Sequence, residues 1–205
     1  MDPENIHPTN TKWIVWYHNP SDKNWDIGSY KDIIEISSLE DFCVLKNSWH
    51  LCLPKTNQGM FFIMRKTENG CIYPRWEDKN NQNGGYWSFK VSKENSDEAW
   101  FRLMTYLFGE YITKDEINIM DINGISVSPK KNFCIFKIWN KNSNKNNKDL
   151  LFNFDFLNMD EVIYSNHNNN IKKDQLKTNR YNRKNNRDNN RYNNRDNDRY
   201  NRKKY

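Results

Sequence analysis

Apolar and polar residues alternate along residues 12–18 (KWIVWYH), placing Trp13, Val15 and Tyr17 on one side and Ile14, Trp16 and His18 on the other. That period of two predicts a strand. The turn cluster Asn19-Pro20-Ser21-Asp22 separates it from a second strand expected over 26–36. The period then changes. Phe42, Leu45, Trp49 and Leu53 recur at helical spacing behind Ser38-Leu39-Glu40-Asp41, a capping box, which predicts a helix over 39–50. Strands follow at 60–66 and 86–92, separated by the turn Asn69-Gly70 and a polar loop from Trp76 to Gly85. The longest helix is expected over 96–110, capped by Ser96 and ending near Gly109, with Trp100, Leu103, Met104, Leu107 and Phe108 as its apolar stripe. Strands at 119–128 and 133–140 flank the turn 128–132, and a short helix at 149–158 precedes a last strand at 161–164. Hairpin-linked strands interspersed with helices, without regular β-α-β alternation, predict an antiparallel α+β fold.

Charge divides this chain at the point where the periodicity stops. Of the formal net charge of +6 over 205 residues, 166–205 contributes +9, with 13 Lys+Arg against 4 Asp+Glu. The remainder carries 19 basic and 22 acidic side chains, a net of −3. All eight tryptophans lie between Trp13 and Trp139. A body so rich in large side chains can bury a core. The basic segment offers few apolar groups to offset its ordering entropy. The expected organisation is therefore a folded domain over 1–165 and a disordered Asn/Arg-rich tail over 166–205. Arg and Lys there alternate with Tyr181, Tyr192 and Tyr200, which suits non-specific RNA contact or simple solubilisation. Its 14 Asn residues suggest an AT-rich genome, such as a protist's or a giant virus's.

Several function classes lose support. The longest apolar run, Met60 to Met64, is far short of a membrane span. The N-terminal MDPENIHPTN lacks the features of a secretory leader, which points to the cytosol or nucleus. Cys43, Cys52, Cys71 and Cys134 form no C-x-x-C pair, so buried reduced thiols are expected in place of a zinc or disulfide framework. No phosphate-binding glycine loop, H-E-x-x-H helix or paired-carboxylate motif occurs, so a binding module is favoured over an enzyme and no cofactor is implied.

Two tryptophans are unusually placed. Trp25 follows the turn residues Ser21-Asp22-Lys23-Asn24, and Trp76 sits in the loop segment Pro74-Arg75-Trp76-Glu77-Asp78. A loop tryptophan beside a carboxylate suits a stacking platform; a surface anchor is the plainer alternative.

The segment Pro74-Arg75-Trp76-Glu77-Asp78 followed by Gly84-Gly85-Tyr86-Trp87 resembles the W-E-D…G-G-x-W segment of the eukaryotic translation initiation factor 4E family, the mRNA cap-binding proteins. The resemblance extends to His7-Pro8, Trp13-x-x-Trp16-Tyr17, Trp25, Leu39-Glu40-Asp41-Phe42, Trp100 with Gly109-Glu110, and Ile138-Trp139. It runs in order from about residue 6 to residue 167. It implies a cupped antiparallel sheet backed by three helices, in a cytoplasmic, non-enzymatic translation factor or a cap-sequestering regulator. By the same resemblance, Trp25 and Trp76 sandwich 7-methylguanine, Glu77 accepts from the base edge, and Trp139 contacts the methyl group. A cationic base gains a cation–π component between indole faces, and each stack contributes roughly 1–3 kcal/mol.

Two departures qualify the resemblance. The family's arginine and lysine for the cap phosphates fall on a hairpin that aligns ambiguously here, leaving Lys130, Lys131 and Lys137 as candidates, with solvated turn lysines as the alternative. Tyr86 stands where the family has a basic residue. The partner surface implied for a scaffold protein of the 4G type falls on His7, Pro8, Leu39, Cys43, Phe101 and Arg102. Cys43 replaces a tryptophan there and Arg102 a glutamate. Loss of an indole anchor predicts weak scaffold binding or a re-specified partner.

Overall fold

The computed structural model describes residues 6–176. Eight strands form one antiparallel sheet: β1 (Pro8–His18), β2 (Tyr30–Ser38), β3 (Met60–Thr67), β4 (Gly70–Cys71), β5 (Gly85–Ser92), β6 (Ile122–Pro129), β7 (Phe133–Asn140) and β8 (Ile163–Asn166). Their order is β2-β1-β3-β6-β7-β5-β8, with β4 paired to β3. Two long helices, α1 (Leu39–Cys52) and α2 (Ser96–Phe108), and the single turn α3 (Glu116–Ile119) complete the α+β domain.

The alternation of β1 assigns the two faces. Trp13 and Val15 enter the main core with Phe61 and Ile63 of β3, Trp87 and Phe89 of β5, and Phe136 and Ile138 of β7. The helices supply Leu45, Trp49, Trp100, Leu103 and Leu107 to that core. Ile14 and Trp16 face the other way, where Phe62, Met64, Tyr30, Ile72 and Trp139 form a second, smaller cluster. The site is built on that second face.

Local chemistry places the helices. Ser38 accepts from the Asp41 backbone N–H at 3.1 Å, and the Asp41 carboxylate accepts from Ser38 N–H at 3.0 Å, completing the capping box. Helix α2 differs from expectation at both ends. Its N-cap is Asn95, because the buried Ser96 hydroxyl donates to Lys93 O and accepts from Thr56. At the C-terminus the left-handed residue is Glu110 (φ 60°), one past Gly109, and its carboxylate accepts from Asn10 and Thr11.

Other boundaries also moved. The second strand starts at Tyr30 because residues 27–29 form a 3₁₀ turn. The helix expected over 149–158 reduces to a 3₁₀ turn at Lys148–Leu150. The aromatic residues that follow pack by themselves, Tyr106 against Phe152, Phe154 and Phe156. Regular structure continues past residue 165, since β8 ends at Asn166 and 167–176 are helical. The remainder of the basic run lies outside the described residues. All four cysteines are free, yet only Cys134 is buried; Cys43 and Cys52 are exposed because α1 turns them away from its apolar stripe. No helix among the described residues is long and apolar enough to cross a membrane.

Candidate ligand-binding site

Strand register brings the predicted residues of β5 and β7 together. Tyr86 pairs with Trp139 and Ser88 with Lys137, and because Lys137 and Trp139 are two apart they share a face. Trp139 is 2% exposed. Its indole N–H donates to Ser126 Oγ of β6 at 2.9 Å, and its ring is covered by Tyr86 and His167, with centroids 6.0 and 4.9 Å away.

Trp25 and Trp76 reach this face from two separate loops. Trp76 packs on the second cluster beside Tyr86 and Tyr73. Trp25 is 47% exposed and lies on His18, with ring centroids 4.3 Å apart and planes 3° from parallel. No ring contact joins the two tryptophans. Tyr30 links their surroundings, its ring 6.4 Å from Trp25 and its hydroxyl within electrostatic reach of Arg75 and Glu77. Burial raises the Tyr30 pKa, partly countered by Arg75 and reinforced by Glu77. Glu77 itself is exposed and 3.6 Å from Arg75 Nε.

The loop carrying Trp76 and Glu77 is held by the motif's own Asp78 and by two asparagines, Asn81 and Asn123, that the motif did not single out. Asp78 accepts from the backbone N–H groups of Tyr73 and Asn80. The fully buried Asn81 donates to Tyr73 O and Arg75 O, and Asn123 of β6 donates to Asn80 O and Asn81 Oδ1. The glycine pair that follows has a steric reason. A Cβ on Gly84 would lie 1.8 Å from Asn140 O, and one on Gly85 would lie 2.4 Å from Ser165 O. Asn140 also accepts from Gly85 N–H and Tyr164 Oη–H, tying β5, β7 and β8 at the edge of the site.

The three candidate phosphate lysines separate. Lys137 is half-buried on the sheet face, and Lys130 and Lys131 are exposed on the turn. Burial, then the charge of Lys130, pushes the Lys137 ammonium down to about 8. His167, missed in the sequence, is fully buried, its ring 5.4 Å from that of Tyr86. Burial first and Lys137 second push it down to about 3. Its only sequence signal is its position at the end of the last strand, and His18 had only its alternation with Ile14 and Trp16.

The implied partner residues occupy two places. His7 N–H and Nδ1 engage the Glu40 carboxylate at 3.0 and 2.7 Å, holding that carboxyl down to about 2, while Leu39 N–H donates to His7 O. Pro8 pairs with Ser38. With Cys43, Val44 and Asn47, His7, Leu39 and Glu40 line a shallow groove of about 360 Å³. Phe101 and Arg102 do not line it. Phe101 packs on Trp49 and His50, and Arg102 bonds Asp155 at 2.5 Å and lies 4.3 Å from the Phe156 ring.

Comparison with known proteins agrees with this architecture. The family model described as eukaryotic initiation factor 4E matches residues 8–182. The Saccharomyces cerevisiae eukaryotic translation initiation factor 4E is 30% identical over 144 residues, covering 68% of this chain and 64% of that protein. The chain thus spans a little under two thirds of the length of such curated relatives. Among solved structures, Ascaris suum eIF4E-3 in complex with an m2,2,7G cap is similar at a TM-score of 0.56 and 26% identity, over 68% of this chain and 76% of that one. Caenorhabditis elegans eIF4E-3, in complex with the 4E-binding protein Mextli and a cap analog, shares the fold at a TM-score of 0.64 and 20% identity, over 82% and 96% of the two chains. A family match that spans residues 8–182, and with them every strand of the sheet and the Trp-Glu-Asp loop, carries one conclusion: the chain belongs to the eukaryotic initiation factor 4E family.

Proposed function

We propose that this protein binds the 7-methylguanosine 5′ cap of mRNA in the cytoplasm and acts in translation initiation. The observation that carries the reading is the convergence of Trp25, Trp76, Tyr86 and Trp139 on one sheet face, with Glu77 beside Trp76 on the loop at its rim. The Ascaris relative crystallised with a cap lends it support. Trp25 and Trp76 stack on the two sides of the base, Glu77 accepts from its edge, and Lys130, Lys131 and Lys137 supply the positive charge for the phosphates. An anionic acceptor strengthens the edge hydrogen bonds and favours a cationic base.

The test is retention on 7-methyl-GTP resin followed by competitive elution. Elution by 7-methyl-GTP at concentrations where GTP has no effect supports the reading; equal elution by both rejects it.

A second reading, a cap-sequestering regulator that does not engage a conventional 4G scaffold, is favoured by two observations. Cys43 lies in the groove where an indole anchor would be needed, and Arg102 is engaged by Asp155. Submicromolar binding of a 4G-type helical peptide would reject it in favour of a scaffold-recruiting factor.

A further inference from the structure

Three aromatic rings surround the ammonium of Lys137. Nζ lies 4.1 Å from the centroid of Tyr86 and 5.9 Å from those of Trp76 and Trp139. Among the described residues no carboxylate forms an ion pair with it. An ammonium held by ring faces is the arrangement that aromatic cages make with quaternary ammonium ligands. Its other neighbours disfavour its charge: burial and Lys130 both lower its proton affinity, and the charge of Lys137 is felt by the buried His167. Two of the three rings, Trp76 and Trp139, are those assigned above to stacking and to the methyl group. The protein's own cation therefore engages two of the rings that reading assigns to the cationic base.

We propose that Lys137 is a specificity-determining residue that couples recognition of the base to recognition of the phosphates. Its ammonium occupies the Trp76–Tyr86–Trp139 cage in the free protein, leaves as a cationic base enters, and is then stabilised by the ligand's phosphate oxygens. The inference rests on the cap-binding reading and goes beyond it. A methylated nucleoside without phosphates must eject the ammonium without giving it a new partner. GTP offers the partner but no cation for the vacated rings. Only a ligand with both groups offsets the exchange, so free 7-methylguanosine is rejected along with unmethylated nucleotides.

Fluorescence titration of the full chain with 7-methyl-GTP and with 7-methylguanosine tests this, comparing wild type, Lys137→Met and Lys137→Arg. Lys137→Met keeps an unbranched apolar stem and removes the charge. It should bind the nucleoside at least threefold more tightly than wild type and 7-methyl-GTP more weakly, so that the ratio of the two affinities falls at least tenfold. Lys137→Arg should restore most of the ratio. Unchanged or weaker nucleoside binding by Lys137→Met overturns the proposal, because removing a residue that only contacts phosphate or only supports the fold does not improve binding of a phosphate-free ligand. Absence of 7-methyl-selective binding by the wild type overturns the cap-binding reading itself, so the two failures are distinguishable. A second measurement needs no variant. In lysine-labelled wild-type protein the Lys137 ε-CH₂ resonance should be ring-current shifted and should move on adding 7-methyl-GTP; an immobile resonance overturns the proposal.

Discussion

The imidazole of His18 lies flat against the indole of Trp25, 4.3 Å away and 3° from parallel, while its Nε2 is 2.9 Å from Asn24 O. One face of Trp25 is thereby covered and its loop is tied to β1, so a base can stack only on the other face. Aromatic pairs contribute about 0.5–1.5 kcal/mol beyond area burial. His18→Phe, which preserves the stack, should leave 7-methyl-GTP affinity within about twofold, whereas His18→Ala should weaken it about two- to tenfold. Titration of both variants checks this.

The tryptophans should divide into two classes. Trp100 is fully buried against Trp49 and Phe136, and truncating such a side chain costs about 3–5 kcal/mol. Trp100→Ala should therefore lower the melting temperature sharply. Trp25→Ala and Trp76→Ala should each abolish retention on 7-methyl-GTP resin while melting close to wild type. Thermal melts run beside the resin assay separate the two outcomes.

The glycine pair offers a steric test. Gly84→Ala and Gly85→Ala would each drive a Cβ into backbone oxygens of neighbouring strands. Each should destabilise by more than about 2 kcal/mol, as overpacking at a site without room does. Gly28→Ala meets nothing within 4 Å and should be nearly neutral in denaturant unfolding.

Acid should destabilise this domain through His167. Its folded-state pKa is depressed to about 3 by burial and then by Lys137, below the unfolded value near 6.5. In the interval between, the unfolded chain binds a proton that the native state refuses, so stability is fully present above about 6.5 and falls as pH drops toward 3. The slope for one such group is at most about 1.4 kcal/mol per pH unit. His167→Phe, compared with wild type in urea titrations at pH 7.5 and 5, should lose less stability between those values.

The groove lined by His7, Leu39 and Cys43 should bind a 4G-type peptide only weakly. Cys43→Trp should tighten peptide binding at least tenfold in a fluorescence polarisation assay, given the weight of indole anchors at interfaces. An unchanged affinity would show that this groove is not the peptide's seat.

The parts legible in sequence were those whose physics is local. The Ser38–Asp41 box, the stripe on α2 and the alternation of β1 each involve residues within a few positions of one another, and the structure reproduces them. Ser96 looked like a cap because the hydroxyl's distant partner, Thr56, is invisible in sequence. The same holds for the site. Trp25, Trp76, Glu77 and Trp139 were named through a motif, whereas His18, Tyr30, Asn81, Asn123 and His167 matter through contacts across strands and loops. Lys137 was one of three lysines left as phosphate candidates by an ambiguous hairpin; that its ammonium is ringed by three aromatics required the pairing of β5 with β7.

That pairing carries a consequence for how the chain tolerates change in length. Gly85 opposes Asn140 at one end of the β5–β7 ladder and Ser92 opposes Phe133 at the other, so odd-numbered β7 residues from Ile135 to Trp139 face the site and even-numbered ones face the core. A residue gained or lost within β7 would exchange Lys137 and Trp139 with Phe136 and Ile138, inverting pocket and core together. The turn after Pro129 lies outside this parity. Insertions there leave every pocket position in phase, so hairpin length can drift among related chains without a compensating change in the site.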